Sequence, residues 1–187
     1  MKKAKIYYCV GISGSGKSYY LRNKFLTDFV EVADFLAEKG MTLEDIKICP
    51  DDIRREVCGD VSDMSKDGYV WRLAESRVKD TLKEFGYAVF DATGTSKKAR
   101  KFLNKYNAEK IAIVFEPNTK LSIERITEDI NTGVDRSKVP AVAVYTQAKA
   151  FRISVIGDED WDGVWNKPTR KKIVENLRKE FDEVYFA

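Results

Sequence analysis

Short apolar runs alternate along the chain with longer segments in which apolar residues recur at helical spacing. The runs are rich in β-branched and aromatic residues, as buried strands are. Because strands that alternate with helices build parallel sheets, the pattern predicts an α/β fold. The predicted strands are Lys5–Val10 and residues 46–49, 87–91, 110–115 and, last, 184–186.

Helical segments fill most intervals between these runs, and several carry clear start or stop signals. Gly40 and Gly86 follow two of them, as expected of glycines that close helices in a left-handed conformation. Pro140 suits the first turn of a helix, and Asp51 or Asp52 can cap a short helix that runs to residue 57. The other predicted helices are residues 17–29, 30–39, 69–85, 96–106, 121–130, 140–153 and 168–181.

Length and composition limit what the chain can be. It has 187 residues, 43% hydrophobic and 34% charged, so we expect a single globular domain over residues 1–187. Residues 168–187 would form a helical extension at its end. No apolar stretch approaches the roughly 18 residues that a membrane span needs. The net charge is only +3, so contact with nucleic acid requires local clustering of charge.

The chain has three cysteines without a CxxC pair, and it has no histidine. This cysteine usage fits a reducing compartment, and we expect a cytoplasmic protein. Without histidine, a Ser-His-Asp triad, a Cys-His pair and histidine-ligated zinc are excluded. A general base must then be a carboxylate, lysine, tyrosine or cysteine.

The first predicted strand leads into residues 11–18 (GISGSGKS), here called the glycine-rich loop. The loop fits the pattern G-x-x-x-x-G-K-[ST] between a strand and a helix, the context in which this pattern binds nucleotide phosphates. Glycines let several backbone N–H groups point at one anion, and the helix N-terminus adds its dipole. Lys17 would reach the outer phosphates, and the Ser18 hydroxyl would ligate Mg²⁺. The residues expected to hold ATP are Gly11, Ser13, Gly14, Ser15, Gly16, Lys17 and Ser18.

A carboxylate follows the second predicted strand, at the edge where ligands of open α/β sheets gather. Asp51 would therefore lie near the glycine-rich loop and accept the proton of an attacking hydroxyl. Arg54 follows one helical turn later and would hold a phosphate of the acceptor molecule. The spacing alone is also compatible with Asp51 as the cap of a solvated helix.

Residues 96–106 contain five basic side chains and no acidic one. Such a run can follow a nucleic-acid backbone, because lysine and arginine release counterions when they bind phosphates. The alternative is a solvated helix face. The basic residues of this run are Lys97, Lys98, Arg100, Lys101 and Lys105.

Together the motifs resemble those of the P-loop 5′-hydroxyl polynucleotide kinases, the kinase module of phage and bacterial end-healing enzymes. The glycine-rich loop alone indicates only the superfamily, whereas the Asp-x-x-Arg pair and the Arg-x-x-Val-Pro segment narrow the match. The matching segments occur in family order and are residues 11–18, 51–54, 89–93, 123–125 and 136–140.

The resemblance implies a P-loop NTPase-type parallel sheet flanked by helices, adenylate-kinase-like, with an arginine-bearing lid at about residues 131–139. It implies an enzyme that uses ATP and Mg²⁺ to phosphorylate 5′-hydroxyl ends of DNA or RNA. The nucleic acid is then the substrate, with no membrane and no obligate protein partner. Asp51 would be the general base, and Arg54 would grip the phosphate next to the acceptor nucleoside.

The resemblance also implies roles for residues further along the chain. Asp91 and Thr93 would lie on the acceptor side of the active site, and Lys97 would continue this surface. Arg125 and Arg136 would be lid arginines that stabilise charge on the transferring phosphoryl group.

Two positions depart from the family pattern. Gly94 occupies a position that is usually asparagine, so acceptor contacts near this loop would differ from those of the family. Asp129 occupies a position that is often a second arginine, and Arg136 is then the candidate to supply that charge.

Two other functions remain open. One is a kinase of a small acceptor, such as a nucleotide or nucleotide-sugar, because zeta-toxin-like kinases share the loop and a base after the second strand. A groove along residues 97–105 would favour a polynucleotide, and a closed pocket would favour a small acceptor. The other is a non-catalytic nucleotide-binding module that acts through a partner.

Overall fold

Five parallel strands form one sheet in the computed structural model, which describes residues 3–134 and 137–187. The strands are β1 (Lys5–Val10), β2 (Lys47–Ile48), β3 (Tyr87–Phe90), β4 (Glu109–Val114) and β5 (Glu183–Phe186). Their order across the sheet is β2-β3-β1-β4-β5, so β1 lies in the centre. The predicted α/β class is confirmed, and the short final strand pairs in parallel with β4.

Helices flank both faces of this sheet. They are α1 (Lys17–Asn23), α2 (Phe25–Asp28), α3 (Val30–Lys39), α4 (Pro50–Cys58), α5 (Asp67–Phe85), α6 (Lys97–Arg100), α7 (Thr119–Asn131), α8 (Ala141–Phe151) and α9 (Lys167–Leu177). A π-helical turn, Arg152–Ile156, continues α8 directly. Over residues 3–134 and 137–187, none of the helices has the length and apolar character to cross a membrane.

The central strand shows why the strands are almost wholly apolar. Alternate residues of β1 point to opposite faces, so Tyr8 packs in the cluster that includes residues of α5 and α9. Tyr7 and Cys9 pack in the cluster formed with α1, α2 and α3. A parallel strand covered on both faces has no solvent side on which polar residues would be tolerated.

Two glycines close helices as the sequence predicts, whereas Pro140 lies one position before the first helical turn in which it was predicted. Gly40 and Gly86 adopt φ angles of 64° and 75°, and their left-handed backbones close α3 and α5. Pro140 immediately precedes α8 as its N-cap residue.

The helix predicted over residues 17–29 is interrupted at Lys24, so this prediction is wrong in its continuity. The backbone of Lys24 has φ −130° and leaves the helical region. The interruption lets Phe25 enter the core, where its ring meets Tyr7 edge-on at 5.2 Å between centroids.

The predicted capping role of Asp51 or Asp52 is also wrong. Helix α4 begins at Pro50, and Cys49 is its N-cap residue. Proline favours the first helical position because its missing N–H would have no intrahelical partner there. The two aspartates therefore lie within the first turn, where their charge complements the helix dipole.

The segment predicted as a lid, residues 131–139, connects α7 to α8. Helix α7 extends to Asn131, and Arg136 lies outside the described residues. The backbone N–H of Lys138 donates to Ser62 Oγ at 3.3 Å. This contact joins the segment before α8 to the loop between α4 and α5.

Candidate active site

A cavity of about 840 Å³ lies at the carboxyl ends of β1, β2 and β3, where ligands bind in open α/β sheets. Most of the predicted site residues meet there. Those that line it are Ser13, Gly14, Gly16, Lys17, Ser18, Asp51, Arg54, Asp91, Thr93 and Arg125. Among the described residues, Gly11, Ser15 and Lys97 lie outside this lining, and the position of Arg136 is not described.

The glycine-rich loop has a conformation that its glycines make possible. Gly14 and Gly16 have φ angles of 77° and 96°, which L-residues with side chains rarely adopt. A Cβ on Gly14 would lie 2.5 Å from the carbonyl oxygen of Ser122. At the start of the loop, the N–H of Gly11 donates to the carbonyl of Thr93 at 2.8 Å. Thr93 therefore fixes the loop through its backbone.

Lys17 begins α1 and is buried. Its ammonium donates to the carbonyl oxygens of Gly11 and Ile12 at 3.1 and 2.7 Å. The loop thus wraps around the charge of Lys17 and holds it at the floor of the cavity. A phosphate in the loop would meet this cation together with the N-terminal dipole of α1.

Ser18 and Asp91 place two side-chain oxygens next to one another near Lys17. The Ser18 hydroxyl donates to Asp91 Oδ2 at 3.1 Å, and Asp91 follows the last residue of β3. Burial raises the pKa of the Asp91 carboxyl, while the charge of Lys17 and the Ser18 bond oppose this shift. A divalent cation here would stabilise the ionised carboxylate that burial disfavours.

These two oxygens suit Mg²⁺, which is usually bound by one or two protein oxygens together with waters and substrate phosphates. Over residues 3–134 and 137–187, no group of three or more His, Cys, Asp or Glu side chains could hold a metal alone. A metal at Ser18 would therefore depend on phosphate oxygens for the rest of its coordination. The resemblance implies that Asp91 lies on the acceptor side, and its contact with Ser18 adds a second possible use, as a ligand of Mg²⁺.

Arg54 connects two carboxylates, of which Asp51 lines the cavity and Asp67 does not. It is only 4% exposed, and its guanidinium binds Asp51 Oδ1 through Nη1 and Asp67 Oδ1 through Nη2 at 2.7 Å. Burial lowers the pKa of the Arg54 guanidinium, but Asp67 and Asp51 raise it by more. The Nε of Arg54 has no hydrogen-bond partner among the described residues, so this donor would be available to an acceptor phosphate without loss of either carboxylate.

Asp67 is a site residue that the sequence analysis missed. It is the first residue of α5 and lies 13 positions after Arg54, a separation without a repeating pattern to indicate contact. Arg54 Nη1 also points to the carbonyl of Val61 at 3.5 Å. The contacts of Arg54 therefore join α4, the loop after it and the start of α5.

Two further contacts bring α7 and α8 to the loop. Arg125 Nη1 donates to the carbonyl of Gly14 at 3.3 Å. The N–H of Ser13 donates to Gln147 Oε1 at 2.7 Å, and Gln147 lines the cavity. Gln147 was missed as well, because no motif marks a glutamine 134 residues away from its partner.

Cys49 lines the cavity but is poorly suited to act as a nucleophile. Burial raises the pKa of its thiol to about 12, and the nearby Asp91 adds to the shift. The thiol therefore stays protonated near neutral pH, whereas the reactive form of cysteine is the thiolate.

A smaller cavity of about 200 Å³ lies on the other side of the loop. Ser15, Phe115, Asn118 and Arg125 are among its lining residues, and Arg125 also lines the large cavity. The buried Ser15 hydroxyl has no hydrogen-bond partner among the described residues. Ser15, which does not line the large cavity, thus lines this second one.

The packing around position 94 explains why it is a glycine and not the asparagine that is usual at the corresponding position of the polynucleotide kinases that the sequence resembles. Its φ is 56°, and a Cβ would lie 2.2 Å from Tyr8 Cε1 and 2.8 Å from the carbonyl oxygen of Cys9. An asparagine side chain has no room at this position. The central strand therefore requires a glycine here.

The basic run of residues 96–106 does not form a continuous surface on the cavity. Helix α6 ends at Arg100, and a 3₁₀ turn, Lys101–Lys105, follows it instead of the predicted single helix. Arg100 is 1% exposed and binds Glu180, so a solvated face is the wrong interpretation for this residue. Lys105 pairs with Glu75.

Comparisons with known proteins support the fold. No family model matches the chain, and no curated protein sequence matches it. Among solved structures, a chain from the structure of the Pnkp1/Rnl/Hen1 RNA repair complex is similar, with a TM-score of 0.62 and 19% sequence identity. The match covers 81% of this chain and 45% of that chain, so this chain spans less than half the length of its structural relative.

Proposed function

We propose that this protein is a kinase that uses ATP and Mg²⁺ to phosphorylate the 5′-hydroxyl end of DNA or RNA. One observation carries the proposal. A glycine-rich loop with the sequence pattern of phosphate-binding loops, a pair of side-chain oxygens of the kind that Mg²⁺ prefers and a candidate general base line the same cavity at the carboxyl edge of a parallel sheet.

The donor half of the proposal rests on the glycine-rich loop. Its backbone N–H groups and Lys17 would hold the phosphates, and Ser18 with Asp91 would hold Mg²⁺. Bound Mg²⁺ would supply neutralisation of the charge on the transferring group. The smaller cavity beside Ser15 and Arg125 offers space for the nucleobase.

The acceptor half rests on Asp51. Its Oδ1 accepts from Arg54, and no described residue hydrogen-bonds its Oδ2. Oδ2 would take the proton of the 5′-hydroxyl as that oxygen bonds to the γ-phosphorus. The bond from the γ-phosphorus to the bridging oxygen breaks, and ADP leaves with that oxygen. Arg54 would orient Asp51, with the grip on an acceptor phosphate as its second expected role.

The remaining predicted residues would act around this centre. Arg125 and Arg136 would stabilise negative charge on the transferring phosphoryl group, and the segment over residues 131–139 would act as the lid. Thr93 would hold the loop in position, and Lys97 would contact the acceptor strand outside the cavity.

The choice of a nucleic-acid acceptor also draws on the structural relative, which comes from the structure of an RNA repair complex. Shared fold at 19% identity does not carry an activity by itself, so the acceptor is inferred from the site and the relative together.

One observation favours a second candidate, a kinase of a small acceptor such as a nucleotide or nucleotide-sugar. Among the described residues, no member of the basic run over residues 97–105 lines the cavity. A small molecule would fit such a site without needing a long basic groove.

Transfer of radioactive phosphate from γ-labelled ATP would separate these functions. The acceptors are 5′-hydroxyl DNA and RNA oligonucleotides, a nucleoside 3′-monophosphate and a nucleotide-sugar. We expect labelled oligonucleotide. Labelling of a small acceptor alone would move the substrate to the second candidate. ATP binding without labelling of any acceptor would favour the non-catalytic nucleotide-binding module instead.

A further inference from the structure

The side chain of Gln147 accepts a hydrogen bond from one of the backbone N–H groups that a phosphate-binding loop uses to bind its ligand. The donor is the N–H of Ser13, 2.7 Å from the Gln147 side-chain oxygen. Ser13 is the first residue of the glycine-rich loop that lines the cavity. Later amides, at Lys17 and Ser18, belong to the start of α1 and would face the inner phosphates of a bound nucleotide. The Ser13 amide, earlier in the loop, would then face the outermost phosphate.

The position of Gln147 is fixed by packing rather than by the hydrogen bond alone. Val144 lies one helical turn before it on α8 and is fully buried against Ile12 and Ile126. Ile12 is the loop residue next to Ser13. The same apolar cluster thus holds α8 and the beginning of the glycine-rich loop together, so the Gln147 side chain has a defined starting point beside Ser13.

The single N–H of Ser13 cannot donate a strong hydrogen bond to a terminal phosphate and to the Gln147 side-chain oxygen at the same time. Both are acceptors, so their oxygens repel one another at that distance. A glutamine can resolve the conflict, because rotation of its amide replaces the oxygen with an NH₂ group that donates. The bond to a charged phosphate oxygen is then roughly twice as strong as the neutral bond that it replaces.

We propose that Gln147 recognises the terminal phosphate of the donor, so that the site distinguishes a nucleoside triphosphate from a diphosphate. This inference rests on the proposed function, since it requires a nucleotide in the glycine-rich loop. Gln147 acts here as a specificity-determining residue on the donor side. Gln147 would increase the difference between the affinities of the site for ATP and for ADP.

The test measures the dissociation constants of ATP and ADP, each with Mg²⁺, by titration calorimetry on the full chain. Gln147→Glu keeps an oxygen for Ser13 but places a negative charge against the terminal phosphate. We expect it to weaken ATP binding at least about tenfold relative to ADP, because like charges at close range are strongly unfavourable. Gln147→Leu removes the donor, and we expect about fivefold weaker ATP binding with ADP within about twofold of wild type.

Thr146→Glu is the matched control. It adds the same charge one residue earlier on α8, at an exposed position whose hydroxyl bonds only within the helix. The control should leave the ratio of ATP to ADP affinity at the wild-type value. Thermal unfolding of each variant shows whether a loss of binding reflects loss of the fold.

Two outcomes overturn the inference in different ways. If wild type binds ATP but Gln147→Glu and Gln147→Leu keep its ATP-to-ADP ratio, Gln147 does not recognise the terminal phosphate, and the proposed function survives. If wild type binds neither nucleotide, the proposed function fails and this inference fails with it.

Discussion

Arg100 is a fully buried cation, and a single carboxylate neutralises it. Its Nε and Nη2 donate to the two oxygens of Glu180 at 2.9 and 2.7 Å. Nη1 donates to the carbonyl of Gly94 at 2.8 Å, and Nη2 also donates to the carbonyl of Ser154 at 3.2 Å. The guanidinium therefore connects the loop after β3, the π-helical turn and the chain that leads into β5.

Glu180→Gln removes the charge and nearly preserves the shape of the side chain. Breaking a buried ion pair from one side typically costs about 3–5 kcal/mol, because the remaining charge is uncompensated. The side chain of Glu180 is 23% exposed, so water can partly solvate the site and the lower end applies. We expect the free energy of unfolding to fall by about 3 kcal/mol.

Urea unfolding, followed by circular dichroism, measures this change. At a slope of about 2–3 kcal/mol per molar urea, the midpoint should fall by roughly 1 M or more. Glu175→Gln is the control, because its 4.0 Å pair with Lys171 is exposed on α9 and such pairs contribute less than about 1 kcal/mol. If the two variants unfold at the same urea concentration, the assignment of Arg100 as a buried structural cation is refuted.

Three further predictions follow from the site. Gly94→Ala should destabilise the fold by about 2–4 kcal/mol, since it combines a left-handed backbone with a clash against β1; an unchanged melting temperature would contradict this. Asp67→Asn should reduce the rate of phosphoryl transfer more than it weakens ATP binding, because Arg54 loses one of its two carboxylates. Single-turnover kinetics over a range of ATP concentrations measure the transfer rate and the ATP affinity. Equal effects on the rate and on the affinity would argue against an acceptor-side role. Burial raises the pKa of Asp91, so the folded state binds its proton more tightly than the unfolded state and loses stability as pH rises above the usual carboxyl range. Asp91→Asn should therefore raise the melting temperature at pH 7, and this gain should disappear in acid. The same variant should abolish Mg²⁺-dependent phosphoryl transfer.

The sequence predicted the elements whose signals are local. The first strand was predicted with the same limits as in the structure, because a run of apolar residues ends at the glycine-rich loop. Gly40 and Gly86 end their helices as expected, since a left-handed residue closes a helix regardless of distant contacts. The cap at Asp51 was wrong because a local competitor, Pro50, occupies the first helical position.

The contacts that escaped prediction join residues far apart in the chain. Arg100 belongs to a basic run by sequence, and only the fold brings Glu180, 80 residues later, to its guanidinium. Gln147 and Asp67 likewise reach their partners across elements that no spacing rule connects. Periodicity reports which face of a helix is buried, whereas these bonds depend on how helices meet.

The central claim is that Asp51 accepts a proton while phosphate moves from ATP to a 5′-hydroxyl. The most direct measurement compares wild type, Asp51→Asn and Asp52→Asn in transfer of γ-labelled phosphate to a 5′-hydroxyl oligonucleotide. Asp52 is the matched control, since it lies in the same helical turn but pairs with Arg55. We predict that Asp51→Asn slows transfer by about 10²–10⁴-fold and that Asp52→Asn stays within about fivefold of wild type. Equal rates for Asp51→Asn and wild type would contradict the account.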